Sequence, residues 1–447
     1  MGSFLNIAIL AVLAAMLAGP LYRQVNLLGV LRKPIENNPY IEGHNLIKIE
    51  DTMQCEDLHY HAPANKLFTA CEDSVLPRFE WFPPMKAFKK PSLATGSIHV
   101  IDPTTMKSTR LMFEDDFSGP FITHGIDVLE DPERPDSVYI FAVNHAPHPA
   151  YRPGRSDREW DWDGPKARSQ IELFHHVLGA TTVKHVRSIR HPLIKTPNDI
   201  YAESPYSFFV TNDHGYRDGV RRAIEDIVPM AKWSSTIHVR LDELQAVDAE
   251  AAIDASVALT GLFNNNGFGH GKAADDMLIT SAQGGMLYLA QPVRDQDGDT
   301  ISVKEEIPLD SSIDNPTYFT DVYRTSEADD ASGFVLAGLR RAVDMVTHHT
   351  DPTAKDGVMV WYTRPNTTAS KHESEGEGEH EKNDDEKSSN NGRYETRLLF
   401  EDDGTHIRTA ATAVLVPIPP QPEQGKKAWL FVTGFFSESM IAVQVDL

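Results

Sequence analysis

The chain has 447 residues, 40% of them hydrophobic, and a formal net charge of −23. That length can bury a large core and by itself would accommodate two or three domains. With 42 Lys and Arg against 65 Asp and Glu there is no basic stripe to neutralise phosphates, which argues against nucleic acid as a partner and fits either a cation-binding protein or a well-solvated acidic surface.

The first element is an apolar run, Phe4 to Leu21, interrupted by Asn6 and closed near Gly19-Pro20. About 20 apolar residues are needed to cross a bilayer, so the run suits a signal peptide and is marginal as a span. Cleavage after Ala18 or Gly19 would leave bulky Met16 or Leu17 where a small residue is expected, which favours a retained signal-anchor. Gln24 to Asn45 reads as a connector, with a short helix that ends before Pro34; residues 1–35 are thus anchor and connector, and 36–447 the body. Cys55 and Cys71 could pair in an oxidising compartment or remain buried thiols. Asn366-Thr367-Thr368 is a candidate glycosylation triplet, and with the apolar start it points to the secretory pathway, membrane-anchored or secreted.

The body is a series of short β-like runs between turn residues. Ser97 to Ile101, Val138 to Val143, Ile171 to Phe174, Thr182 to Ile189, Ser207 to Thr211 and Thr236 to Arg240 are examples, followed by Met286 to Leu289, Val358 to Tyr362, Ala428 to Val432 and Met440 to Val443. Many short strands with few helices predict an all-β sandwich, barrel or propeller. Thr109 to Asp116 returns as Thr396 to Asp403 with seven of eight positions identical, the kind of echo that repeated blades leave behind. One helix is predicted over Gly219 to Ala231, where Val220, Ala223, Ile224, Ile227 and Val228 recur at helical spacing. Lys371 to Arg393 is acidic and of low complexity, and is expected to be a disordered surface insertion.

Chemistry concentrates in five polar stretches near the edges of β-like runs: Glu56-Asp57, His124-Gly125-Ile126-Asp127, Asn198-Asp199, Asn264-Asn265-Asn266-Gly267 and Asp314-Asn315. Taken singly, each is an ordinary polar turn. Carboxylates and Asn amides are hard oxygen donors of the kind calcium prefers, and in a propeller such stretches would meet at the central tunnel. In extended chain Asn198 and Asp199 point to opposite faces, so each could serve a different partner.

In order along the chain, Glu56-Asp57-Leu58, His124-Gly125-Ile126, Val143-Asn144-His145, Ile189-Arg190-His191, Asn198-Asp199-Ile200, Thr211-Asn212-Asp213-His214, Asn266-Gly267 and Asp314-Asn315 resemble the paraoxonase/arylesterase family. The resemblance implies a six-bladed β-propeller carrying two calcium ions. Glu56, Asn198, Asn266, Asp314 and Asn315 would hold a catalytic ion; Asp57, Asp199 and the carbonyl of Ile126 would hold a structural one. Glu56-Asp57 precedes the strand Lys66 to Ala70, as in the family, and is preferred to the competing pair Glu72-Asp73. The implied activity is hydrolysis of lactones and aryl esters, with His124 as general base, His145 behind it, and Asp314 as rival base or nucleophile. The family also implies lipid contact through the apolar N-terminus and a surface helix. Its long disulfide has no counterpart here, since His44 stands at the first position and the chain ends Gln444-Val445-Asp446-Leu447. The alternative is a non-catalytic, calcium-stabilised scaffold for protein or lipid contact.

Overall fold

The computed structural model describes residues 18–34, 43–90, 96–114, 117–151, 164–295, 299–366, 392–421 and 425–447. Most of the apolar run, the glycosylation triplet beyond Asn366, and residues 371–391 of the acidic insertion lie outside these.

Nearly every β-like run in the sequence is a strand, and the fold is all-β and propeller-like. Antiparallel sheets follow one another along the chain. Leu58–His61, Lys66–Cys71, Ser97–Asp102 and Lys107–Arg110 form the first. Thr123–Glu130, Ser137–Asn144, Gln170–Val177 and Thr182–Ile189 form the next, with Met112–Phe113 added in parallel to its outer strand. Pro197–Ser204, Ser207–Asn212, Ser235–Leu241 and Ile253–Thr260 follow, then Asn265–His270, Met277–Ser281, Met286–Val293 and Thr300–Pro308. Trp81–Phe82 pairs with Ala87–Phe88 as a separate two-stranded sheet, and the strands that remain make one eight-stranded sheet. In it, Ser312–Phe319, Gly333–Leu339, Val358–Pro365 and Tyr394–Asp402 are joined to Ala410–Ile418, Lys427–Gly434 and Ile441–Asp446 by a parallel bridge between Asn315 and Thr412. His44–Lys48 pairs with Ile441–Asp446, so the two ends of the body are tied by backbone hydrogen bonds. The first copy of the sequence echo runs from the end of Lys107–Arg110 onto Met112–Phe113, whereas the second lies within the single strand Tyr394–Asp402.

Side-chain alternation explains the stacking. Along Ser207–Asn212, Phe208 and Val210 pack with Phe141, Leu173 and Ile189 of the preceding sheet. Phe209, between them, packs with Phe268, Met277 and Ile279 of the following one. A strand of period two that is apolar on both faces must lie between two sheets, and burying each aromatic ring contributes roughly 1.5–3 kcal/mol.

The predicted helix over Gly219 to Ala231 is shorter and turned over. It spans Gly219–Glu225, and its buried residues are Arg222 and Glu225, whereas Val220 and Ile227 are 79% and 76% exposed. Hydrogen bonding outweighs the apolar pattern here. Arg222 donates to the Pro84 carbonyl at 2.9 Å and to Asp226 at 3.0 Å, while Glu225 accepts from the backbone of Gly215 and Tyr216 at 2.7 and 3.0 Å. Charged groups tied in this way can be buried where unpaired ones cannot. Residues 18–27 are also helical. Among the described residues no helix is long and apolar enough to cross a membrane. Cys55 and Cys71 are joined in a disulfide.

The innermost strands approach one another closely at two glycines. A Cβ at Gly125 would stand 2.4 Å from Asp199 Oδ1, and one at Gly267 would stand 2.6 Å from the Asn315 Cα. Replacing either by Ala forces backbone apart, and we expect each change to cost about 1–3 kcal/mol. Thermal melts of Gly125→Ala and Gly267→Ala check this; melting temperatures equal to the parent's would contradict the close approach.

Candidate functional site

One local feature recurs at the start of five innermost strands. Opposite each, two residues stand against one, which is a β-bulge. His124 and Gly125 oppose Val143, Asn198 and Asp199 oppose Thr211, and Asn266 and Gly267 oppose Thr280. Asp314 and Asn315 oppose Ala337, and Ala411 and Thr412 oppose Thr433. Four of the five sequence stretches thus lie on bulges rather than in the regular extended chain assumed for Asn198-Asp199 or in loose turns. The facing threonines hold them: Thr211 Oγ1 donates to the Asn266 carbonyl at 2.5 Å, the Gly267 N–H donates to Thr280 Oγ1 at 2.9 Å, and Thr433 Oγ1 donates to the Glu56 carbonyl at 2.6 Å.

Converging there are oxygens with nothing to bond to. Glu56 Oε2, Asn198 Oδ1, Asn266 Oδ1 and Asn315 Oδ1 are buried without a hydrogen-bond partner. Glu56 and Asn315 touch one another, Asn315 Nδ2 donating to Glu56 Oε1 at 3.0 Å. Leaving even one buried acceptor unpaired costs roughly 1–3 kcal/mol, so these oxygens call for a partner. A second group contains Asp57 and Asp199. Asp57 accepts from Leu58 N, Thr412 Oγ1 and Ile126 N at 2.7, 2.8 and 2.9 Å; Asp199 accepts from Ile200 N and Phe268 N at 2.8 and 2.7 Å.

Burial pushes the Glu56 and Asp199 carboxyls well above the usual carboxylate range and raises Asp57, and their mutual repulsion adds to the effect on Glu56 and Asp199. Burial, then Asp57 and Asp213, drive Asp314 up to about 8. Acidic groups crowded in this way beside four orphan amide and carboxylate oxygens have the donor set of a hard divalent cation. The sequence-derived ligands Glu56, Asn198, Asn266 and Asn315 contribute these oxygens, with Asp314 electrostatically coupled to Glu56. Asp57, Asp199 and Ile126 lie alongside.

His124 Nδ1 is 3.0 Å from His145 Nε2, and His145 Nδ1 is 2.9 Å from Ser169 Oγ. The Phe82 ring sits edge-on to both imidazoles, at 5.2 and 5.9 Å between centroids. Trp81 Nε1 donates to the His145 carbonyl at 2.9 Å. Burial holds His124 down to about 3 and His145 well below the ordinary imidazole value, so both rings are neutral. Asp213 stays ionised although burial opposes it, because His214 and Arg222 hold its carboxyl below the usual range. His124, Asn198, Asn266, Asp314 and Asp213 line a cavity of about 360 Å³, together with Phe82 and Phe435.

Other candidates are spoken for. Glu72 accepts from Arg78 at 2.9 Å and from Thr123 N at 3.1 Å, and Asp73 accepts from Ser97 and Arg110 at 2.8 Å each. Asp127 is held by His59 and His270 at 2.9 and 2.8 Å. Glu203, His238 and Asp299 have ligand atoms within 4.8 Å of one another, but Arg294 donates to both carboxylates and balances them. Sequence reasoning missed Ser169 and Phe82. Nothing in spacing marks a serine 24 residues beyond its histidine, whereas the aromatic pair Trp81-Phe82 before two prolines was a usable sign of a buried turn.

The arylesterase family model matches residues 161–260. Serum paraoxonase/arylesterase 2 of Gallus gallus is 30% identical over 131 residues, which is 29% of this chain and 31% of that protein. Serum paraoxonase/arylesterase 1 of Homo sapiens is 27% identical over 169 residues, 37% of this chain and 41% of that protein. The chain therefore matches less than half the length of these relatives. The family-model span includes Asn198, Asp199 and Asp213; Glu56, Asp57, His124, Asn266 and Asp314 fall outside it.

Two measurements check the cation reading. Chelation of divalent ions should lower the melting temperature, and Asn198→Ala with Asn266→Ala should reduce that response. In chelated protein the raised carboxyls contribute stability that is fully present near pH 4 and lost as pH rises. Asp314's share should fall progressively above its unfolded value and be gone once pH has reached about 8. A chelated protein as stable at pH 9 as at pH 5 would contradict this.

Proposed function

We propose that this chain, a relative of the paraoxonase/arylesterase family, is a calcium-dependent hydrolase of lactones and aryl esters built on a six-bladed propeller. The observation that carries the reading is a cavity lined by His124, Asn198, Asn266 and Asp314, with His145 hydrogen-bonded behind His124 and Glu56, itself bonded to Asn315, 3.9 Å from the His124 ring. The six-blade count is supported by the eight-stranded sheet, whose two antiparallel halves meet only through the Asn315–Thr412 bridge. A disulfide fits the oxidising secretory address. Lipid contact would fall to exposed Val220, Ile227 and Met230 beside the cavity.

Glu56, Asn198, Asn266, Asp314 and Asn315 would hold one calcium ion, and Asp57, Asp199 and the Ile126 carbonyl a second, structural one. When bound, the first would supply Lewis-acid stabilisation of charge on the carbonyl oxygen. His124 takes a proton from the attacking water as oxygen bonds to the carbonyl carbon. The ring is already hydrogen-bonded to His145, and His145 to Ser169, so positive charge on His124 is shared along a formed chain. The same proton returns to the leaving alkoxide, which completes the exchange. Asp213, ionised nearby, favours the charged imidazole. Asp314, raised to about 8, is the stronger base when it is not ligating; a cation beside it would lower its basicity and leave the task to His124.

The test is turnover of phenyl acetate and δ-valerolactone with and without a calcium chelator. We expect chelation and Asp314→Asn to abolish activity, His124→Gln to reduce kcat by roughly 10²–10⁴, and His145→Gln by less. A His124→Gln variant with full kcat would transfer the role of base to Asp314. An inert protein whose melting temperature nonetheless depends on calcium would favour the non-catalytic scaffold.

A further inference from the structure

The turn after the helix over residues 18–27 lies along the body. Leu27 is 2% exposed and occupies space that Gly285 leaves open, since a Cβ there would be 2.1 Å from Leu27 Cδ1. Gln24 Nε2 donates to the Gln283 carbonyl at 3.0 Å, and Arg32 Nη1 to the Arg340 carbonyl at 2.9 Å. From the other side, Val343 N donates to the Leu28 carbonyl at 3.1 Å, and Arg341 Nη1 to the Gly29 carbonyl at 2.9 Å. Gly29 has φ +71°, and a Cβ on it would meet the Arg340 oxygen at 2.4 Å, so only glycine passes here.

These bonds bring Leu28 to the cavity that holds His124 and Asp314, where it lines one side with Val343, Met345 and Val346. The wall is apolar. The docking bonds nearby run through Leu28's backbone and through other residues, and Leu28, half-buried, lines the cavity.

We propose that residues 24–32 are a built-in wall of the substrate cavity, and that Leu28 sets the size of the aliphatic or aromatic group the site accepts. This rests on the hydrolase reading above. Each methylene that gains or loses burial changes affinity by roughly fourfold, from about 0.8 kcal/mol per CH₂.

The experiment compares kcat/KM for phenyl acetate, butyrate and hexanoate in the full chain, Leu28→Ala and Leu28→Trp. In Leu28→Trp the hexanoate-to-acetate ratio should fall about tenfold, through KM rather than kcat; in Leu28→Ala it should rise. Ratios within twofold of the parent in folded variants overturn the proposal. A second readout needs no turnover. Both native cysteines are in the disulfide, so Leu28→Cys carries the sole free thiol. Its maleimide labelling should slow at least fivefold with hexanophenone and be unaffected by acetone. No protection overturns the wall. Protection in a protein that hydrolyses nothing upholds the wall and sinks the hydrolase reading instead.

Discussion

The arrangement of the site depends on one backbone constraint: an extra residue at the start of five inner strands. A regular strand turns alternate side chains to opposite faces, and neighbouring sheets already claim both faces for the core. A bulge breaks that alternation for one step and aims two adjacent residues at space the core does not fill. Asn198-Asp199, Asn266-Gly267 and Asp314-Asn315 gain their positions in this way. Gly125 and Gly267 let the bulged backbones approach one another closely, Gly125 against Asn198-Asp199 and Gly267 against Asn315.

Convergence has an electrostatic cost. Glu56, Asp57, Asp199 and Asp314 are each driven toward the protonated form by burial. A protein carrying such a group without a counter-charge loses stability near neutral pH. Elsewhere in the chain Glu72 is paired through one oxygen with Arg78, and Glu172 accepts from Asn144, Gln170, His185 and Ser188. The central acids are instead crowded against one another, a donor set that a hard cation would satisfy. The neutral imidazoles beside it fit the same logic, because cationic ones would compete with such an ion.

Closure is handled locally. His44–Lys48 adds to the last strand, Ile441–Asp446, and the Cys55–Cys71 disulfide lies immediately before Glu56. It ties the residue ahead of the first acidic pair to the end of Lys66–Cys71, the strand whose Thr69 hydroxyl donates to the Asp57 carbonyl at 2.5 Å. A covalent link at that point limits how far Glu56 and Asp57 can drift, where a bond joining distant chain ends would act on the ring as a whole.

The sequence by itself determined the strands, because period-two alternation and turn residues are local properties. It also marked the polar pairs Glu56-Asp57, Asn198-Asp199 and Asp314-Asn315, because adjacent hard oxygens at strand edges stand out. It left Cys55 and Cys71 open, and only the packing of the first hairpin brought them together. Tertiary structure decided what depends on partners distant in the chain. Glu72 and Glu56 look alike in sequence; Arg78 neutralises one and leaves the other facing Asn315. Gly219–Glu225 buries its charges against the apolar pattern because Pro84 and the Gly215 backbone supply their hydrogen bonds. Ser169 behind His145 and Leu28 on the cavity wall have no local signature, since contacts across 24 residues or from one end of the chain to the 340s arise only when sheets stack.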